Sequence, residues 1–408
     1  MATQTTTFKT GTASFQLRGK LKFTPNTFTL NKKSDKGFIS NQMNLGVDCG
    51  HENVVYARMF DGFFDVDQES RQKNLYVHGK KEDPNAPGRM IDDWENQFMI
   101  PWSQRFSQSS LEQLGPSCFI RIGLRYNTNK ELVVRRYLSA YDAIADVAEF
   151  VDSLSDERKT EIVADVSGNL EYEYYDGRVI CRKTINRIVL APNASEDEFY
   201  AKFSQTVYMD KESIGKPDLE KKIIPVTVKI PSYVGKYNGV DIKKVIPLNY
   251  EMQLDATCAV AKWAVDQVKS NAGYSRFTFK GVFIESGSAE DFDVTTLDAE
   301  TQSLLAAGVI TEDEVKMQVA AGNQRKQIMR IVSLKMLNKL PNWLASAYTQ
   351  KEMDALGEPF YRVLASENKP AEKPVVVDDV DPTDDDDMPF DVGDSSDDNM
   401  DWLTNFAV

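Results

Sequence analysis

The chain has 408 residues, 41% of them hydrophobic and 10% aromatic, with a formal net charge of −14. This is ordinary composition for a soluble globular protein, long enough for about two to three domains. No run of about 18 apolar residues is present, which excludes a membrane-spanning helix. The opening Met1-Ala2-Thr3-Gln4-Thr5 lacks the basic and apolar regions of a secretory signal, so a cytoplasmic protein is expected.

The first ~145 residues read as β-rich. Phe15, Leu17, Leu21 and Phe23 alternate with Gln16, Arg18, Lys20 and Lys22, which puts an apolar set and a basic set on opposite faces of one strand. Turns are expected around Pro25-Asn26 and at Asp35-Lys36-Gly37. A second strand follows from Phe38 to Val47, and a third from Val54 to Phe60, where Tyr56, Arg58 and Phe60 lie opposite Val55, Ala57 and Met59. Residues 61–106 break the pattern and read as a long insertion or functional loop. Ser110 to Leu114 reads as a short helix stopped by Gly115-Pro116. Two more strands, Cys118 to Tyr126 and Glu131 to Leu138, flank a turn at Asn127-Thr128-Asn129-Lys130. Three strands, a short helix and two strands is the element order of a five-stranded oligonucleotide-binding barrel, assigned to residues 8–150.

Residues 151–290 repeat the outline. Strands are expected over Ile162–Tyr175, Val179–Leu190, Lys202–Met209, Ile223–Ile230 and Ser275–Glu285, with Asp176-Gly177 as a hairpin turn. Asp255 is placed to cap a helix through Lys269, with Val260, Trp263 and Val268 at helical spacing. From Leu297 a helical period is expected through residue 366, including a capping box at Thr311-Glu312-Asp313-Glu314 and apolar spacing at Ile328, Ile331, Val332 and Leu337. Trp343, Leu344, Ala347 and Tyr348 predict one more helix, ending near Gly357. The predicted architecture is therefore mainly β with some α: tandem barrels, a helical segment (291–366) and a tail (367–408).

The tail changes how the charge is read. From Pro374 to Val408 there are twelve Asp and no Lys or Arg, so of the net −14 only −2 belongs to residues 1–373. Such a run cannot bury enough apolar surface to offset its self-repulsion and chain entropy, and a disordered interaction tail is expected. Two apolar anchors stand in it: Met388-Pro389-Phe390 after Asp384, Asp385, Asp386 and Asp387, and the segment from Trp402 to Phe406.

Bases and rings sharing strand faces are what a nucleic-acid groove requires, since Lys and Arg neutralise phosphates and rings stack on bases. The candidates are Arg18, Lys20 and Lys22 on the first strand; Tyr56, Arg58 and Phe60 on the third; Arg121 and Arg125 on the fourth; and Arg135 and Tyr137 on the fifth. Arg178, Arg182, Lys183 and Arg187 with Tyr172 and Tyr174 form a weaker set in the second block. For any one of these residues the competing reading is an ordinary solvated strand face, or core for the aromatics. Catalytic motifs are absent: there is no G-x-x-x-x-G-K-[ST] loop and no G-x-S-x-G elbow. Cys49, Cys118, Cys181 and Cys258 form no C-x-x-C pair and only His51 and His78 join them, so no zinc site and no cofactor are expected.

Ser14 to Phe60, with its Phe-x-Leu-x-Gly-Lys opening and Leu45-Gly46-Val47-Asp48, resembles the N-terminal barrel of single-stranded DNA-binding proteins encoded by bacteriophages of Gram-positive hosts. Asp384 to Phe390 resembles the acidic C-terminal tip of bacterial single-stranded DNA-binding proteins, which ends in Asp, an apolar residue, Pro and Phe. The resemblance implies a non-enzymatic protein that coats single-stranded DNA in phage replication or recombination and recruits other proteins through its acidic tail. It departs at the end: eighteen residues follow Phe390, so the Trp402 to Phe406 anchor is expected to share the partner contact. Two rivals stay open, a virion structural protein and a metal-dependent nuclease.

Overall fold

The computed structural model describes residues 8–64, 73–175, 177–286, 326–334 and 347–367. In chain order the strands are β1 (Ala13–Lys22), β2 (Phe28–Lys33), β3 (Phe38–Asp48), β4 (Val54–Phe64), β5 (Asn74–Asp83), β6 (Ala86–Pro101), β7 (Ile120–Tyr126) and β8 (Leu132–Tyr137). Helix α1 (Ala140–Asp152) precedes β9 (Val163–Tyr175), β10 (Arg178–Leu190), β11 (Tyr200–Met209), β12 (Ile223–Tyr237) and β13 (Val240–Asp255). Helix α2 (Ala259–Ser270), β14 (Ser275–Ser286), β15 (Lys326–Leu334) and helix α3 (Gln350–Glu367) complete the described chain.

Alternation builds the first barrel. Phe15, Leu17 and Leu21 of β1, Met43, Leu45 and Val47 of β3, and Val55, Ala57 and Met59 of β4 are all buried. Each large apolar side chain taken fully from water contributes about 1.5–3 kcal/mol, so these inward sets lock the register. β1 pairs with β3 through Leu21↔Val47, and β3 with β4 from Phe38↔Phe64 to Asp48↔Val54. β4 meets β10 in parallel at Arg58↔Thr184, β10 pairs with β9, and β9 returns to β1 from Ser14↔Asn169 to Lys20↔Val163. The ring β1-β3-β4-β10-β9 is closed and leaves no sheet edge of its own.

The second barrel repeats the scheme. β11 pairs with β12 at Tyr208↔Lys229, β12 with β13, β13 in parallel with β15 at Leu254↔Ile331, β15 with β14, and β14 back with β11. In both rings a helix, α1 or α2, stands between the third and fourth strands. Two Greek-key barrels of oligonucleotide-binding type result, as expected. They join along β1, which pairs with β11 over Ala13–Arg18 and with β3 over Lys20–Lys22. Gly19 marks the change of partner: a Cβ there would lie 1.9 Å from the Asp48 carbonyl oxygen, so no larger residue fits.

Several expectations are corrected. The strands at 118–138 do not close the first barrel. β9 and β10 do, so the boundary expected at 150 falls inside that ring. β7 instead lies outside β10, in parallel register Ile188↔Ile122, with β8 beyond it. The barrel helix is α1, capped by Ser139 through the Tyr141 N–H, rather than the short turn at Gln108–Leu111. Residues 61–106 hold a β5–β6 hairpin with its own small core of Val77, Ile100, Leu114 and Phe119. Residues 326–334 are a strand, not helix: Met329 and Ile331 alternate inward and pair against β14. The final helix starts at Gln350, later than expected, and runs past Gly357 and through Pro359. The capping box at Thr311 and the tail anchors lie outside the described residues.

Helix α3 sits on the second barrel. Its buried Met353 packs with Phe8, Tyr208, Tyr274 and Tyr348. The fully buried Phe360 meets Tyr174 and Tyr237 at 5.3 and 5.0 Å between ring centres. The Tyr361 hydroxyl donates to the Pro247 carbonyl at 2.9 Å.

Candidate nucleic-acid interface

In a barrel of this type the outward face of the second and third strands, with the loops between strands one and two and between strands four and five, is the ligand surface. In the first barrel those strands are β3 and β4. Opposite the buried set, the outward positions of β4 are Tyr56, Arg58, Phe60 and Phe64, paired with Gly46, Asn44, Gln42 and Phe38 of β3. Gly46 makes room for the tyrosine: a Cβ there would lie 3.3 Å from the Tyr56 ring and 3.2 Å from the Lys22 Cβ. Phe60 is 39% exposed and its ring centre stands 6.4 Å from that of Phe38. Lys22 enters the same strip from β1 through Lys22↔Gly46. Its side chain is 48% exposed and lies 3.2 Å from Asp48. Rings, amides and bases thus share one surface over a mostly apolar interior.

Arg58 continues the strip toward β10 and β9. Burial and the neighbouring Arg182 guanidinium hold its pKa below the usual arginine range. Across from it, burial raises the Glu171 carboxyl, against the opposing effects of a Thr184 hydrogen bond and of Arg58 and Arg182. Arg182 pairs with Glu173 at 2.8 Å. A partly desolvated arginine with an arginine neighbour gains from an incoming anion more than a solvated one would.

The first-to-second-strand connection carries β2, whose Lys32 and Lys33 pair with Ser40 and Ile39 of β3. The fourth-to-fifth connection is the β9–β10 hairpin, with exposed Tyr175 at its tip opposite Arg178. Arg178 is among the sequence candidates, whereas Phe38, Lys32, Lys33 and Tyr175 are not. Their signal is position: once the strand order is known, they fall in the ligand-facing loops and on the ligand-facing strands.

Other predicted candidates are held elsewhere. Arg18 grips Asp165 with two hydrogen bonds of 2.7 and 3.1 Å, and its guanidinium stands 5.3 Å from the Tyr200 ring centre. Hydrogen bonding to Asp165 raises its pKa. Lys20 pairs with Glu196, which raises its pKa. These two bases tie β1 to β9 and to the segment before β11. Arg121 donates to the Pro116 carbonyl. Arg125 and Arg135 converge on Asp146 of α1, the latter at 2.8 Å. Tyr137 is pushed up to about 12 by burial and by hydrogen bonding to the same Asp146. Arg125 and Arg135 therefore fasten β7 and β8 to α1, while Arg121 ties β7 to the turn before it.

Tyr172 is a correction: it is 7% exposed, points into the core, and donates its hydroxyl to Gln205 at 3.1 Å. Its ring has no path to a base. Tyr174 is half-buried between Tyr237 and Phe360. Core is the competing reading for these aromatics, and for Tyr172 it holds; a single tyrosine in a strand carries no sign of which face it takes.

The face is braced from the second barrel. The Tyr56 backbone N–H donates to Glu285 Oε2 at 3.1 Å. The other oxygen of Glu285 accepts from Lys183, whose ammonium also reaches Gln327 and stands 5.0 Å from the Phe283 ring centre. Asn53 locks the same corner, accepting from the Glu285 N–H at 3.0 Å and donating to the Phe283 carbonyl at 2.8 Å.

Among the described residues, no group of three His, Cys, Asp or Glu side chains is placed to hold a metal ion, and no helix is long and apolar enough to cross a membrane. No protein family and no curated protein matches the chain. Among solved structures, the chain is similar to an internal-deletion variant of the single-stranded DNA binding protein from Thermus aquaticus, at 10% identity and a TM-score of 0.30, over 81% of this chain and 98% of that one. It is similar to the wild-type Thermus aquaticus protein at 8% identity and a TM-score of 0.28, over 82% and 96% of the two chains.

Proposed function

We propose that this protein binds single-stranded nucleic acid, without catalysing a reaction on it, through the outward β3–β4 face of its first barrel. The observation that carries this reading is the juxtaposition of Tyr56, Arg58 and Phe60 on one strand face, with Lys22 beside them, opposite a closed apolar core. Rings on such a face stack on bases of any kind, at about 1–3 kcal/mol per base, while the bases of the protein neutralise phosphates. Coating of a strand with little sequence preference follows.

The setting we propose is phage DNA replication or recombination, on the resemblance carried by Ser14 to Phe60 and Asp384 to Phe390. The acidic segment from Pro374 competes with nucleic acid for the basic face and offers replication or recombination proteins two apolar anchors, Met388 to Phe390 and Trp402 to Phe406. A gel-shift titration with poly-dT against duplex competitor tests the central reading. Retention of the single strand under excess duplex is expected; equal competition by duplex overturns it.

A further inference from the structure

The two barrels offer two equivalent faces, and the described residues cover one of them and not the other. On the first barrel the β3–β4 face carries exposed Phe60 and half-exposed Lys22. On the second barrel the corresponding face belongs to β12 and β13, where Lys229 pairs with Asn249 and Pro231 with Pro247. Helix α3 lies across it. Its Tyr361 hydroxyl bonds the Pro247 carbonyl, and Lys229 stands 5.7 Å from the Tyr361 ring centre. Between helix and strands remains a cleft of about 440 Å³ lined by Lys229, Asn249, Asp354, Glu358 and Tyr361 among others.

The chemistry of that contact is the chemistry a nucleic acid would bring. A ring lies near the lysine, as a base would. Asp354 and Glu358, one helical turn apart on α3, bring carboxylates to the cleft that holds Lys229, as phosphates would. Arg362 of the same helix also lines it and pairs with Glu358 at 3.5 Å, which leaves Asp354 as the carboxylate that faces Lys229. The Asp354 charge acts on Lys229 against the effect of burial, which lowers the pKa of that ammonium.

We infer that the second barrel does not take nucleic acid, because its β12–β13 face is a docking groove for the chain's own helix α3, whose Asp354 carboxylate and tyrosine stand in for phosphate and base. The barrel instead becomes a fixed seat from which residues 368–408, with their acidic run, depart at the end of α3. Unseating the helix would expose Phe360 and Met353, which are 0% and 1% exposed, so the seat holds while the first barrel binds. This inference rests on the reading of the first barrel as the binding barrel.

Hydrogen–deuterium exchange on the full chain, with and without a saturating dT oligonucleotide of about 30 nucleotides, tests it; one barrel of this type covers only about 4–16. Binding is followed in parallel by fluorescence anisotropy of the same oligonucleotide. Slower exchange over β3 and β4, with β12, β13 and α3 unchanged, is expected. Slower exchange over β12 and β13 together with faster exchange in α3 overturns the inference while leaving the first barrel's role intact. No anisotropy change at all overturns the parent reading, and this one with it. As a second arm, Lys229→Gln should leave the binding midpoint within about 2-fold, since it removes no phosphate contact. A loss of about tenfold or more, with an unchanged circular-dichroism spectrum, would contradict the docking-groove assignment.

Discussion

Glu285 on β14 of the second barrel accepts a hydrogen bond from the backbone N–H of Tyr56 on β4 of the first, at 3.1 Å. The residue whose ring leads the candidate face is thereby held in place by the neighbouring barrel. Glu285 is itself anchored by Lys183, and the two side chains are only 5% and 4% exposed. A buried pair of this kind is costly to break, because removing one charge strands the other.

Lys183→Met should therefore destabilise the fold by about 3–5 kcal/mol, whereas the double change Lys183→Met with Glu285→Leu should recover most of that loss. Urea unfolding followed by circular dichroism measures both. Full additivity of Lys183→Met and Glu285→Leu would show that the pair does not act as a unit.

The two arginines of the outward surface should behave differently. Arg58→Gln should weaken binding of single-stranded DNA and reduce the slope of log affinity against log salt by about 1. Arg18 is already matched by Asp165, so Arg18→Gln should leave the slope alone and cost about 1 kcal/mol of stability. Anisotropy titrations across a salt series separate the two, and an equal change of slope for both variants would place Arg18 in the groove.

Alkaline pH should loosen the fold within a defined window. Burial, with the Asp48 charge beside it, pushes the Cys49 thiol from 9.0 up to about 12. Burial and Asp146 push the Tyr137 phenol from 10.0 up to about 12. Both groups have folded pKa values above their unfolded ones, so the stability they contribute is fully present below pH 9 and is lost as pH rises toward 12. Urea midpoints should fall over that range, and Cys49→Ala should flatten the first part of the fall. Midpoints that rise above pH 9 would reverse the assigned sign.

Removing Pro374 to Val408 strips twelve Asp from the chain. If the acidic segment competes for the basic face, the shortened protein should bind oligo-dT more tightly, most clearly at low salt where charge competition is least screened. Equal affinity at every salt concentration would leave the segment without a competing role.

The alternation of β1, β3 and β4 is written in the sequence, because each strand has one buried face and Leu17, Leu45 or Met59 must take it. Tyr56, Arg58 and Phe60 follow directly from that parity. Closure is not written there. The partner of Lys20 is Val163, and nothing local in either segment names the other. The segment from Ile120 to Tyr126 shows the same alternation as a barrel strand, yet Ile122 pairs outside the ring against Ile188. Ile328 and Ile331, three apart, fit a helical period, but pairing with β14 makes the run strand β15 with Met329 and Ile331 inward. Arg125 and Arg135 looked like groove residues until α1, absent from the sequence reading, brought Asp146 to them.

The central claim is that a strand of nucleic acid lies on the β3–β4 face and stacks on its rings. Anisotropy titration of labelled oligo-dT with the native chain, with Tyr56→Ala/Phe60→Ala, and with Tyr172→Phe tests it most directly. The double variant should lose about 2–6 kcal/mol of binding at unchanged thermal stability, since each ring gives about 1–3 kcal/mol per stacked base, and Tyr172→Phe should bind as the native chain does. Native affinity in the double variant would contradict the account.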